Sequence, residues 1–139
     1  MYLKVKKYMN DLKINPPAKV GDCGYDVFAT KTIVLAPHER YNMGLGIANR
    51  PTGYFCQIQQ KSGLAEKFGI DTIGNVIDSG YRGEIHAQIV NTSNDYNYIG
   101  EYKNSPISIY TTLDSRNIDC DELSITDRGS SGFGSSGLK

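Results

Sequence analysis

The chain has 139 residues, one domain by length, and its 15 basic side chains are balanced by 15 acidic ones. That balance removes the long-range field that draws in nucleic acid or anionic membrane, but leaves room for a local basic pocket around a small anion. Cys23, Cys56 and Cys120 are odd in number and lack CxxC spacing, which argues against a disulfide framework or a zinc site. No run approaches the roughly 20 apolar residues needed to cross a bilayer, and no N-terminal apolar run resembles a signal peptide. A soluble, intracellular protein is expected, with neither nucleic acid nor membrane as a partner.

In chain order, Leu3 and Val5 alternate with Lys4 and Lys6, an edge-strand pattern. Asn15-Pro16-Pro17 breaks regular structure, and the turn Gly21–Gly24 leads into a strand over Tyr25–Ala29. Thr32–Leu35 predicts another short strand, Met43, Leu45 and Ile47 fall at period two, and Tyr54–Gln59 follows a turn at Asn49–Gly53. Ser62 to Gly69 is the one persuasive helix, with Ser62 as its cap and Gly69 as its end. Ile73 and Ile77 flank a Gly74-Asn75 turn signal, predicting a tight hairpin. Ile85, Ala87 and Ile89 alternate with Glu84, His86 and Gln88, Asn91 to Tyr98 reads as a polar loop, and Ile107–Tyr110 reads as a late strand. Asp119–Leu123 suggests the approach to an edge. Many short strands separated by frequent turns indicate an all-β sandwich, jelly roll or barrel. The last region, Arg128 to Gly137, is glycine and serine around a single Phe133. Its composition alone predicts a disordered tail, yet such a segment can also wrap a nucleotide, with amides and hydroxyls on phosphate and the ring on a base.

Four segments read together: Gly24-Tyr25-Asp26-Val27, Lys61-Ser62-Gly63-Leu64-Ala65, Val76-Ile77-Asp78-Ser79-Gly80-Tyr81-Arg82-Gly83, and the Arg128–Gly137 tail. In identity, order and spacing they strongly resemble the trimeric dUTPases, from the first strand through Gly137. The resemblance implies a jelly-roll-like β domain over residues 1–127, of the β-clip kind, with one short helix. It further implies a flexible arm over 128–139 that closes across the active site of a homotrimer, each site taking pieces from three chains. The implied reaction is hydrolysis of dUTP to dUMP and pyrophosphate with Mg2+.

The resemblance also implies residue roles. Asp78 orients and deprotonates the water that attacks the α-phosphorus, and Arg128 brings a late cation to the terminal phosphate. Tyr81 packs under the deoxyribose and leaves no room for a 2′-hydroxyl. Gly74, Asn75, Val76 and Ile77 present main chain to the uracil edge. Lys61, Ser62 and Gly63 hold phosphate, Phe133 stacks on the base, and Gly134, Ser135 and Ser136 supply amide and hydroxyl donors. Mg2+ is held by the phosphates and water with no direct protein ligand, Asp26 supporting it through ordered water. Arg82 has a weaker case, as support for the hairpin or for a contact between chains.

The chain departs from the family's pattern at several positions. Lys61 replaces the usual arginine, keeping charge but losing the planar fork, and Gln60 also differs. Asn75 stands where glycine is usual, and Ser136 where threonine is common. The fourth family motif, a Gly-Asp-Arg-Ile-Ala-Gln-like stretch, has only Asn104-Ser105-Pro106-Ile107-Ser108-Ile109 as its counterpart. Ile109 falls at the glutamine, or Ser108 after a small loop shift. This motivates an alternative: a nucleotide-binding or regulatory relative with reduced turnover. Deamination of dCTP and a purely structural role fit the segments less well.

Overall fold

Short runs of alternating residues become short strands. The computed structural model describes residues 2–12, 14–15, 19, 24–50, 55–100, 106–111, 116–119, 122, 125–126 and 130. The described strands are β1 (Tyr2–Lys7), β2 (Gly24–Phe28), β3 (Ile33–Leu35), β4 (Arg40–Gly44), β5 (Ile47–Arg50) and β6 (Cys56–Gln59). After helix α1 (Ser62–Phe68) come β7 (Ile70–Ile73), β8 (Val76–Ile77), β9 (His86–Asn91), β10 (Asn97–Ile99), β11 (Pro106–Thr111) and β12 (Arg116–Asp119). They form four small sheets of order β12-β1-β5, β10-β3, β2-β11-β6-β8 and β4-β9-β7. Neighbours run antiparallel except β1 and β12, which are parallel. This is the expected all-β architecture with one short helix.

Strict alternation on β2, β6, β7 and β9 sends every second side chain inward. Val27, Leu35, Met43, Leu45, Ile58 and Ile89 are buried in one core, each contributing about 1.5–3 kcal/mol by leaving water. The period-two set Met43, Leu45 and Ile47 is buried as its spacing predicts, although the chain turns between β4 and β5 at Gly46 (φ +66°).

Three expectations are corrected. The first strand is not an edge: β1 has β12 on one side and β5 on the other, so both its rows of backbone groups are paired. Alternation marks a sheet with one buried face, as Val5 shows, and that pattern cannot distinguish an edge from an interior strand. The second correction concerns Gly74-Asn75. β7 pairs with β9, whereas β8 pairs with β6, so the turn carries the chain from one sheet to another and closes no hairpin. Gly74 takes φ +60°, and the Asn75 carbonyl accepts a hydrogen bond from the Ile58 amide at 2.9 Å. Third, the N-cap of α1 is Lys61, with no side-chain capping bond, and Ser62 is the first helical residue. The other end is as expected. Gly69 is left-handed (φ 65°), and its amide bonds back to Ala65 and Leu64.

The Asn91–Tyr98 stretch is polar but not irregular throughout. Asn91 ends β9 fully buried, in phase with Ile85, Ala87 and Ile89. Its Nδ2 lies 2.7–3.2 Å from the carbonyls of Leu35, Ala36 and Asp95. Its Oδ1 accepts from the Ser93 amide and hydroxyl and from Asn97 Nδ2. Asn97 also donates to the Phe68 carbonyl (2.8 Å), while the Thr92 amide and hydroxyl both donate to the Gly69 carbonyl. The helix end is thereby tied to β9 and β10. A helix of seven residues with none of them buried has too few bonds to persist alone.

Candidate active site

The site residues gather in two groups hung from opposite ends of β6. At one end, β2 presents Asp26 on the half-buried side of its alternation. Its backbone is fixed by reciprocal bonds with Asn15 at 2.9 and 3.0 Å. Both carboxylate oxygens face Lys61 Nζ, Oδ1 at 2.8 Å and Oδ2 at 3.0 Å, and both side chains stay about one-third exposed. Lys61 sits where β6 gives way to α1, and Ser62 and Gly63 follow it, both exposed. A Cβ built on Gly63 would meet nothing within 4 Å, so the space beside its amide is open.

At the other end, β8 pairs with Cys56 and Gln57. Val76 is 58% exposed, while Ile77 packs against the core and anchors the segment. Asp78 follows, exposed, and its carbonyl accepts the Tyr81 amide at 3.0 Å, closing a tight turn. Arg82 braces that turn, its Nη1 donating to the Ser79 and Tyr81 carbonyls at 2.7 and 2.8 Å. Tyr81 folds back so that its hydroxyl donates to the Glu84 carbonyl at 2.9 Å. The contact requires glycine at 83, where a Cβ would lie 2.5 Å from the Tyr81 hydroxyl.

The two groups are separated by on the order of 10 Å of strand. Three strands stand in register across the Asp26 end: Asp26 is opposite Ser108, and Ser108 opposite Gln59. Ile109 stands instead between Tyr25 and Ile58, both buried. Among the altered fourth-motif residues, Ser108 is therefore the one in register with Asp26, and Ile109 is in register with Tyr25 and Ile58. Arg128, Phe133, Gly134, Ser135 and Ser136 lie outside the described residues, as do Asn104 and Ser105.

Several contacts have no signal in the sequence. Thr126 Oγ1 donates to the Gly80 carbonyl at 2.7 Å, and Ser130 Cβ lies 3.1 Å from where a Gly83 side chain would begin. Thr126 and Ser130 thus both lie against the Gly80–Gly83 stretch, more than 40 residues earlier in the chain. The carboxylate of Glu84 accepts the Gly46 amide at 2.8 Å and lies 3.7 Å from His86 Nε2. Among the described residues no three His, Cys, Asp or Glu side chains gather as a metal cage. Asp26 offers a partly exposed carboxylate, a hard oxygen donor of the kind Mg2+ accepts, and both its oxygens face the Lys61 ammonium.

These features coincide with what comparison finds. The dUTPase family model matches residues 10–137. A deoxyuridine 5′-triphosphate nucleotidohydrolase of Nautilia profundicola is 36% identical over 141 residues, covering 99% of each chain. The enzyme of that name from Paramecium bursaria Chlorella virus 1 is 34% identical, covering 98% of each. Among solved structures, the Staphylococcus bacteriophage 80alpha dUTPase with dUPNHPP aligns with a TM-score of 0.69 at 24% identity, covering 98% of each chain. A mutant dUTPase of S. aureus phage phi11, described with a structural Mg(II) ion, aligns at 0.72 with 20% identity over 91% of this chain and 97% of that one. Among the described residues no helix is long and apolar enough to cross a membrane. With the family model matched over nearly its whole length and relatives matched end to end, the chain belongs to the dUTPase family of dUTP diphosphatases.

Proposed function

We propose that the chain hydrolyses dUTP to dUMP and pyrophosphate as a soluble, intracellular homotrimer with shared, Mg2+-dependent sites. The observation that carries this reading is the Asn75–Gly83 segment. It carries an exposed Asp78 and, three residues on in the same turn, a folded-back Tyr81, on a backbone anchored by Ile77 and by the Asn75–Ile58 bond.

Asp78 takes a proton from water as the water oxygen bonds to the α-phosphorus. The bond from that phosphorus to its bridging oxygen breaks, and pyrophosphate leaves with the electron pair. A carboxylate is a weak base for water, so fixed geometry and cationic help are essential. Lys61, held by Asp26, supplies one positive charge, and the open Gly63 amide and Ser62 hydroxyl supply donors. Asp26 would help hold Mg2+ through ordered water, and the cation would lower the charge on the phosphates when bound. Tyr81 excludes a 2′-hydroxyl by occupying its space, and backbone at Gly74–Ile77 reads the uracil edge. From the arm, Phe133 stacks on the base, Arg128 meets the terminal phosphate, and Gly134–Ser136 donate to phosphate, excluding water as the arm closes.

The test is pyrophosphate release from dUTP, dCTP, dTTP and UTP with Mg2+. Release from dUTP alone is expected. Asp78→Asn should lower kcat by at least roughly 100-fold while dUTP binding is retained. An unchanged rate removes Asp78 as the base. A second reading, a nucleotide-binding relative with reduced turnover, is favoured by Ile109 standing in register with Tyr25 and Ile58 and not with Asp26. Tight dUTP binding without pyrophosphate release would select it.

A further inference from the structure

Tyr81 is held from behind by a built seat. Its hydroxyl donates to the carbonyl of Glu84 at 2.9 Å, so that carbonyl is one of the points that fix the ring. The backbone around Glu84 is clamped against the bend at Leu45–Ile47. The Leu45 amide donates to the Ile85 carbonyl at 2.9 Å, and the Ile85 amide donates to the Ile47 carbonyl at 2.7 Å. Between these two bonds lies Gly46, left-handed at φ +66°, whose amide is turned out of the ladder. Glu84 Oε1 accepts it at 2.8 Å. A carboxylate accepting a backbone N–H makes a stronger bond than a neutral acceptor does.

Two glycines make space for this arrangement. A Cβ on Gly44 would lie 2.6 Å from Glu84 Oε1, and a Cβ on Gly83 would lie 2.5 Å from the Tyr81 hydroxyl and 2.7 Å from its ring carbon Cζ. Gly44, Gly46, Gly83 and Glu84 therefore form one device, in which the carboxylate pins one end of residue 84 and the carbonyl pins the ring.

We propose that Glu84 is a positioning residue for sugar discrimination: its carboxylate, bound to the Gly46 amide, fixes the carbonyl that locks the Tyr81 ring. The inference rests on the reading of Tyr81 as the sugar gate. Glu84 touches no substrate. It acts by denying the ring the small displacement that would admit a 2′-hydroxyl, so its loss acts on the ratio of kcat/KM for dUTP to that for UTP more than on kcat for dUTP. Discrimination by exclusion depends on how stiffly the excluding group is held.

The experiment measures that ratio in the full-length protein for Tyr81→Ala, Tyr81→Phe, Glu84→Ala, Glu84→Gln and Gly44→Ala, with circular dichroism checking the fold of each. Tyr81→Ala should collapse the ratio; if it does not, the gate itself is wrong. With the gate upheld, Tyr81→Phe and Glu84→Ala should each lower the ratio by roughly 3- to 10-fold, the scale of one net hydrogen bond. Glu84→Gln keeps an acceptor for Gly46 and should stay close to the parent. Gly44→Ala displaces the carboxylate while leaving glutamate at position 84 and should reproduce Glu84→Ala, which keeps the test decisive should Glu84→Ala fail to fold. Undiminished ratios in Glu84→Ala and Gly44→Ala, alongside a collapsed ratio in Tyr81→Ala, overturn the proposal.

Discussion

Lys61 and Asp26 form a pair whose two side chains are each about one-third exposed, with Nζ 2.8 and 3.0 Å from the two carboxylate oxygens. An exposed pair of this kind adds little stability, so its worth is better sought in function: it stretches a flexible ammonium along a fixed line beside Ser62 and Gly63. Lys61→Ala should raise KM for dUTP by roughly 10-fold or more, the scale of one charge-assisted hydrogen bond, with a melting temperature close to the parent's. Lys61→Arg, which restores the fork common in the family, should keep KM at or below the parent's. Steady-state kinetics paired with thermal melts separate the two, and a KM unmoved by Lys61→Ala would remove its phosphate role. The motif was legible in the sequence because it is local. Its pairing with Asp26, 35 residues away, was not legible: the resemblance marked both residues but gave Asp26 a metal-supporting role, and no spacing rule joins β2 to the start of α1.

At the scale of elements, the sequence was most readable where one period governed one strand. Ile85, Ala87 and Ile89 announced β9 because hydrophobic alternation and burial coincide there. The same period contained a signal that was missed: Asn91 is the next residue in phase, and an asparagine at a buried position must have its amide satisfied. Read that way, the polar stretch after it becomes a set of partners for a buried side chain. Asn91→Ala leaves the carbonyls of Leu35, Ala36 and Asp95 and the donors of Ser93 and Asn97 without their shared amide. It should cost more than about 3 kcal/mol in urea unfolding, since each buried group left unsatisfied costs ~1–3 kcal/mol. A loss under ~1 kcal/mol would mean water replaces the amide readily. The turn at Gly74-Asn75 was misread for a different reason. A Gly-Asn dipeptide reports that the chain bends, and nothing in it reports whether the two flanking strands then pair with each other or with third parties.

At the scale of the molecule, four sheets of two to four strands share one core, and long-range pairings decide the topology. The parallel pairing of Tyr2 with Arg116 joins strands more than 100 residues apart, beyond the reach of any local pattern. The all-β class was nonetheless evident from strand length and turn frequency, because those are averages over many short elements. The proposed assembly also belongs to this scale. Static light scattering should give a mass three times the 15.3 kDa of one chain, and a fully active single-chain species would remove the shared site.

The passage of Gly74-Asn75 between the β4-β9-β7 and β2-β11-β6-β8 sheets has a mechanical meaning. Residues 74–77 are a joint whose shape depends on the relative placement of two layers. A base docked against that joint would act as a wedge, and resistance to its entry would come from both layers together. Nucleotide occupancy would then register as slowed amide exchange in β9 as well as in β6, although β9 contributes no residue to the proposed base-reading segment.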